Sequence, residues 1–210
     1  MNDINYFSNN LDVKNKTVLL RLDLNVPLKD KIIQDDTRIL LSIPFIKKLI
    51  EKKAKIIILS HLGRPGGKRV SELSMLPIYK YLKKNLDTNV YFFVGELNSE
   101  IKEKFSYQQE GEIILFENKR FFKEETDNDD SFSKKLASLC DVYINDAFSC
   151  SHREQASVHK ITKYAKKSFA GPLLKKEIDA INLIIKNKKK PVTCIIGGSK
   201  ISTKINVISN

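Results

Sequence analysis

Six short apolar runs, rich in β-branched residues and spaced so that most intervals have room for a helix, constrain this chain more than any other feature: Val18 to Leu24, Ile56 to Leu59, Val90 to Val94, Ile113 to Phe116, Val142 to Ile144 and Val192 to Ile196. The runs lack clean polar alternation, which is the pattern of strands covered on both faces. Strands separated by helices require right-handed crossovers and generate a parallel sheet. The pattern predicts an α/β fold: a Rossmann-like three-layer domain, its parallel sheet flanked by helices, followed by a connecting helix and the start of a second α/β domain.

The intervals carry helical marks of their own. Ile39, Leu40, Ile43, Ile46, Leu49 and Ile50 form an apolar stripe, with Pro44 either kinking the helix or marking a restart capped by Ser42. Ser74 is placed to cap a helix running to about Leu86, with Pro77 tolerated in its first turn. A further helix fits Ser131 to Cys140, where Phe132, Leu136 and Leu139 share a face, and the acidic stretch Glu124 to Asp130 before it reads as an exposed loop. After Gly171, Pro172 opens a stripe of Leu173, Leu174, Ile178, Ile181, Ile184 and Ile185, ending in lysines and Pro191. The expected division is a domain over 1–170, a connecting helix over 171–190 and the opening of a second domain over 191–210.

Composition narrows the function classes. At 41% hydrophobic residues the 210-residue chain is globular and has no apolar run long enough to span a bilayer. Residues Met1 to Asn10 show no targeting pattern. Cys140, Cys150 and Cys194 form no CxxC pair, so neither a disulfide framework nor a zinc site is expected, and a reducing cytoplasm fits. The net charge of +12 comes mostly from lysines on helix faces; without aromatic interleaving or a recognised module, nucleic acid is not an expected partner.

Only six of the 37 basic side chains are arginines, and Arg21, Arg38, Arg64, Arg120 and Arg153 lie in polar clusters beside strand-like runs. The guanidinium fork pairs with carboxylate and phosphate oxygens, so this placement points to a pocket for a small anion. In Arg21-Leu22-Asp23-Leu24-Asn25-Val26 the alternation turns Arg21, Asp23 and Asn25 to one side; Asp23 either accepts from a substrate hydroxyl or pairs with Arg21. Ser60-His61-Leu62-Gly63-Arg64-Pro65-Gly66-Gly67 follows a strand with a flexible glycine loop. Glu117-Asn118-Lys119-Arg120 and Asn145-Asp146-Ala147-Phe148-Ser149-Cys150-Ser151-His152-Arg153 each place an arginine beyond a strand, with Glu117 and Asp146 expected to orient it. Cys150 and His152 lack further ligands, so no metal is expected. Gly197-Gly198-Ser199-Lys200 joins a strand to a helix start, an anion-binding arrangement in which Lys200 and Lys204 share a face, although the upstream glycine of a P-loop is missing.

Taken in order, LRLDLNVPL, DDTRI, LSHLGRPGG, LFENKRF, VYINDAFSCSHR, AGPLLKKEI and GGSKISTKI resemble the phosphoglycerate kinases along nearly the whole chain. The resemblance implies two Rossmann-like lobes with a hinge, the first holding 3-phosphoglycerate and the second the magnesium nucleotide. By motif position, Asp23 and Asn25 would bind the glycerate end, and His61, Arg64, Arg120 and Arg153 the carboxylate and phosphate. Arg38, with Lys200, would act on the phosphoryl group in flight, and Gly197, Gly198 and Lys204 would meet the nucleotide. The implied reaction is reversible phosphoryl transfer between 1,3-bisphosphoglycerate and ADP, giving 3-phosphoglycerate and ATP. Mg-ATP or Mg-ADP would be the co-substrate, with most of its site outside this chain, and the protein a cytoplasmic monomer with no membrane partner. Two departures stand out: Ser149-Cys150-Ser151 replaces the usual Gly-Thr-Ala, and the length is about half that of a full member. The residues alone are therefore expected to have negligible kinase activity; the alternative is a non-catalytic anion-binding fragment of such an enzyme.

Overall fold

The computed structural model describes residues 4–98 and 101–186, and beyond them only Thr193 and Ile195. In chain order the elements are β1 (Thr17–Leu22), a hairpin of β2 (Leu28–Lys29) and β3 (Ile32–Ile33), α1 (Thr37–Glu51), β4 (Lys55–Leu59), α2 (Leu76–Asn85), β5 (Val90–Phe93), α3 (Ile101–Ser106), β6 (Ile113–Phe116), α4 (Lys123–Thr126), α5 (Asp130–Ala137), β7 (Val142–Asp146), α6 (Ile161–Tyr164), β8 (Ser168–Ala170) and α7 (Pro172–Lys186). The chain divides into two units, residues 1–177 and 178–210.

The first unit is built on a six-stranded sheet ordered β5-β6-β4-β1-β7-β8, with every pairing parallel. Alternation sorts the apolar runs between its two faces. Val18, Leu20 and Leu22 of β1, Ile56 and Ile58 of β4, and Ile113 and Leu115 of β6 pack with Ile39, Ile46 and Leu49 of α1 and Ile78 and Leu82 of α2. Leu19, Ile57, Leu59, Ile114 and Phe116 take the opposite face with Phe132 and Leu136 of α5 and Ile161 of α6. At about 1.5–3 kcal/mol for each fully buried large aliphatic side chain, this two-sided burial is what selects the three layers.

The structure gives the expected α/β architecture and adjusts its details. α1 is one helix through Pro44, so there is no restart; Ser42 donates to the Arg38 carbonyl at 2.9 Å instead of capping. The cap position of α2 is Met75 rather than Ser74, which lies one residue earlier and whose hydroxyl accepts from Leu76 N at 3.2 Å. The stretch 124–130 is not an exposed loop: it contains α4 and the start of α5, and Glu125 is fully buried. β8 escaped the apolar pattern because it is three residues long and only Ala170 is buried. In the second unit, the described part of α7 from Ile178 onward exposes Ile181, Leu183, Ile184 and Ile185. The strand expected at Val192 to Ile196 falls outside the described segments. No described helix is long and apolar enough to cross a membrane.

Candidate functional site

Because all strands run the same way, the segments that follow them emerge at one edge of the sheet, where open α/β sheets bind ligands. Four neighbouring strands, β6, β4, β1 and β7, carry the four motifs: Arg120 follows β6, His61 and Arg64 follow β4, Asp23 and Asn25 follow β1, and Arg153 follows β7.

Asp23 and Asn25 tie these segments together. The Asp23 carboxylate accepts from Arg38 Nη1, from the Ser149 hydroxyl and, at 3.1 Å, from Asn25 N. Burial alone would raise its pKa; the Ser149 hydroxyl and the Arg38 charge outweigh burial and hold it below the ordinary carboxylate range. Asp23 therefore pairs with Arg38 rather than Arg21. Asn25 Oδ1 accepts from Gly63 N at 2.8 Å, anchoring the loop after β4. Gly63 has φ +60°, and an added Cβ would lie 2.7 Å from a Leu73 methyl.

The floor of the site is cationic and almost dry. His61 is 4% exposed, and its Nδ1 lies 3.2 Å from Arg21 Nη2. A guanidinium has no lone pair to offer, so Nδ1 is the acceptor and the neutral ring carries its proton on Nε2. Burial, then the charges of Arg21 and Arg120, depress the imidazole pKa to about 2, so the ring is neutral at ordinary pH. Arg120 is 5% exposed and donates from Nη1 to Gly63 O at 2.8 Å. Burial lowers its pKa, and Arg153 and Arg21 add repulsion. Arg153 is half-buried, and Arg64 is exposed with no hydrogen bond or ion pair among the described residues.

Three sequence expectations are corrected. Arg21 is not a free ligand-binding group: alternation puts it on the Leu19 face, where it is fully buried, bonding Ser157, Leu22 O and His61. Glu117 orients the start of α2, accepting from Ser74 Oγ at 2.8 Å and Met75 N at 2.7 Å, rather than an arginine. Asp146 accepts from Leu174 N at 2.9 Å, bracing the first turn of α7, while its Oδ2 is buried without a partner. That burial raises the Asp146 carboxyl to about 6.

Sequence reasoning missed three contributors. Glu125 and Ser157 are fully buried beneath Arg21, in segments with no local signature. Lys119 is 1% exposed, with Nζ 4.4 Å from the Phe116 ring centroid and 4.7 Å from that of Phe122. Burial outweighs the attraction of Glu125 and Glu117 and lowers its pKa to about 7. The structure thus brings together Asp23, Asn25, Arg38, His61, Arg120 and Arg153, with Arg64 on the same loop as His61. Gly197, Gly198, Lys200 and Lys204 lie outside the described residues.

A parallel six-stranded sheet flanked by helices, with guanidinium and imidazole groups following its central strands, defines an open α/β protein. The sequence model of phosphoglycerate kinase matches residues 8–210, and the chain belongs to the phosphoglycerate kinase family. It is similar to the phosphoglycerate kinase of Wolbachia pipientis wMel, 47% identical over 199 residues, covering 95% of this chain and 50% of that relative. The Clostridium botulinum phosphoglycerate kinase is 43% identical over 205 residues, covering 95% of this chain and 51% of its own. Among solved structures, phosphoglycerate kinase from Coxiella burnetii aligns with TM-score 0.83 at 42% identity, over 95% of this chain and 50% of that one. The Pyrococcus horikoshii OT3 enzyme aligns with TM-score 0.84 at 30% identity, over 97% and 51%. The chain spans about half the length of the relatives it matches.

Proposed function

We propose that residues 1–170 form the 3-phosphoglycerate-binding part of a phosphoglycerate kinase, which transfers a phosphoryl group reversibly between 1,3-bisphosphoglycerate and ADP. The observation that carries this reading is the packing of Arg120, Arg153 and buried Arg21 around a neutral His61 at one sheet edge. These cations repel one another, and a multiply charged phosphate and carboxylate ligand relieves that repulsion while using the His61 Nε2–H and the free guanidinium N–H groups. Asp23 and Asn25 supply the acceptors that a glycerate hydroxyl needs.

Phosphoryl transfer demands alignment and charge neutralisation more than a covalent relay. In this reading Arg64, Arg120 and Arg153 orient the anionic ends and His61 donates to the ligand. Arg38, held by Asp23 at the half-exposed margin, acts on the transferring group together with Lys200. The magnesium nucleotide supplies the phosphoryl acceptor or donor; Gly197, Gly198 and Lys204 are its proposed contacts, with residues 171–190 as the connecting hinge and 191–210 opening the nucleotide lobe. The same proposal makes the protein a cytoplasmic monomer. It gives the 210-residue chain alone negligible turnover, because nucleotide and acyl phosphate are not brought together away from water.

Calorimetric titration of 3-phosphoglycerate into the chain tests the binding claim. Saturable binding that is lost in an Arg38→Ala/Arg64→Ala double variant is the expected result. Absence of binding by the unaltered chain refutes it, and near-normal turnover by the chain alone in a coupled assay refutes the inactivity claim.

A further inference from the structure

Beneath the pocket runs a chain of hydrogen bonds whose every direction is set by donor and acceptor chemistry. Glu125 accepts from Ser157 N at 2.9 Å through Oε2 and from the Ser157 hydroxyl at 2.6 Å through Oε1. A carboxylate can only accept, so the Ser157 hydroxyl spends its proton there and its lone pairs face Arg21, whose Nε donates at 3.1 Å. Arg21 then donates from Nη2 to His61 Nδ1 at 3.2 Å. The serine has no slack for another arrangement, because its carbonyl is also taken by the Tyr143 hydroxyl at 2.7 Å. Glu125, Ser157 and Arg21 are all fully buried, so water cannot substitute for a missing member.

We infer that Glu125 and Ser157 are positioning residues, which act through Arg21 to hold His61 as the Nε2–H tautomer with that proton presented to the ligand. The inference rests on the pocket proposed above and adds two residues that touch no ligand. Other groups around His61 do not oppose it. Cys150 Sγ lies 3.7 Å from the same Nδ1 and, as a weak donor and a weak acceptor, does not itself choose the tautomer; the Arg21 N–H at 3.2 Å does, while Arg120, Arg153 and Asp23 act on the ring through charge. The reverse tautomer would place an N–H against a guanidinium N–H, and an imidazolium would add a cation among arginines.

Glu125→Gln is nearly isosteric and breaks the logic of the chain. If the new amide oxygen takes Ser157 N, its NH2 faces the Ser157 hydroxyl, which must turn to accept. The hydroxyl proton then either points into the buried site with no acceptor or opposes Arg21 Nε, donor against donor, and in both cases the anchor that aims Arg21 at His61 is weakened. Ser157→Ala removes the same link by a different route and guards against a folding defect peculiar to one variant.

The test is long-range proton–nitrogen NMR of the 15N-histidine-labelled chain between pH 5 and 8, with backbone spectra to show that each variant is folded. In the unaltered chain His61 is expected as one neutral Nε2–H form throughout. In Glu125→Gln and Ser157→Ala it becomes a mixture of tautomers or titrates, and 3-phosphoglycerate affinity falls by about tenfold, as for losing one hydrogen bond to a charged ligand. A charged or Nδ1–H His61 in the unaltered chain overturns the inference, as does an unchanged tautomer in two folded variants. If one variant unfolds, the other decides. Failure of the unaltered chain to bind 3-phosphoglycerate would instead refute the pocket's proposed ligand, with the NMR tautomer still judging the positioning chain.

Discussion

The floor and the rim of the pocket are both built from cations, but they are held in opposite ways. On the floor, Arg21 is fully buried and bonded to a serine hydroxyl, a carbonyl and an imidazole, and Arg120 is fixed to the Gly63 carbonyl. On the rim, Arg64 is exposed and makes no hydrogen bond or ion pair among the described residues, and Arg38 is half-exposed with Asp23 as its ion-pair partner. A buried cation must be saturated to be tolerated, so floor residues are committed to the fold. A rim cation keeps much of its hydration without the ligand, and Arg64, unlike the Asp23-bound Arg38, is also free to turn toward it. Substitutions on the floor should therefore be read mainly as stability, and those on the rim mainly as affinity.

Arg21→Met tests this contrast most strongly. It removes the bonds to Ser157, Leu22 O and His61 at once and leaves the buried Glu125 carboxylate without the cation its network serves. Breaking a buried charge network from one side costs about 3–5 kcal/mol. The expected outcome is a large fall in the urea midpoint with little change in the denaturant slope. A loss below about 1 kcal/mol would show that the floor is not structurally committed.

Lys119 sharpens the comparison, because it is a floor cation that breaks the rule. It is buried between Phe116 and Phe122, and no hydrogen bond or ion pair holds its ammonium among the described residues. Its folded pKa lies near 7 against the ordinary 10.5, so between those values the unfolded chain binds the extra proton and stability climbs with pH. Below about pH 7 the full desolvation cost is present. Lys119→Met should therefore raise the melting temperature, with a gain of about 1–3 kcal/mol at pH 6 that narrows by pH 9. Melting curves at the two pH values check it. A variant less stable than the parent at pH 6 would mean that the contacts with the two rings outweigh the desolvation.

The same division decides what could be read in the sequence. Rim residues were legible because arginine is scarce in this chain and each stands beside an apolar segment, Arg64 just after β4 and Arg38 at the start of the α1 stripe, so chemistry and topology coincide within a few residues. The layers were legible for a related reason: β1, β4 and β6 are apolar on both faces, and that signal is local. On the floor, His61 and Arg120 were legible for the same reason, but the buried network that supports them was not. Ser157 meets Arg21 across 136 positions and Glu125 across 32, and each sits in a segment whose composition suggests surface. Arg21 did carry an available signal. It lies between leucines in a strand covered on both faces, and alternation places it beside Leu19 in the core. Glu117 and Asp146 look like partners for nearby arginines in the sequence, whereas their carboxylates serve helix starts at α2 and α7, where free amides compete for them.

The smallest expected stability effect belongs to the rim, and it is the one that most directly separates the two regions. Arg64→Ala removes an exposed side chain that makes no hydrogen bond or ion pair among the described residues, on a loop whose geometry is held by Gly63 and Asn25 instead. Its unfolding free energy should stay within about 0.5 kcal/mol of the parent, the usual range for surface substitutions. Under the proposed reading, 3-phosphoglycerate affinity should nevertheless fall by about tenfold or more, since a charged hydrogen-bonding partner of the anion is lost. Thermal melts and calorimetry on the same preparation read both quantities. A variant that loses stability and affinity together would place Arg64 in the floor's class, and one that loses neither would remove it from the site.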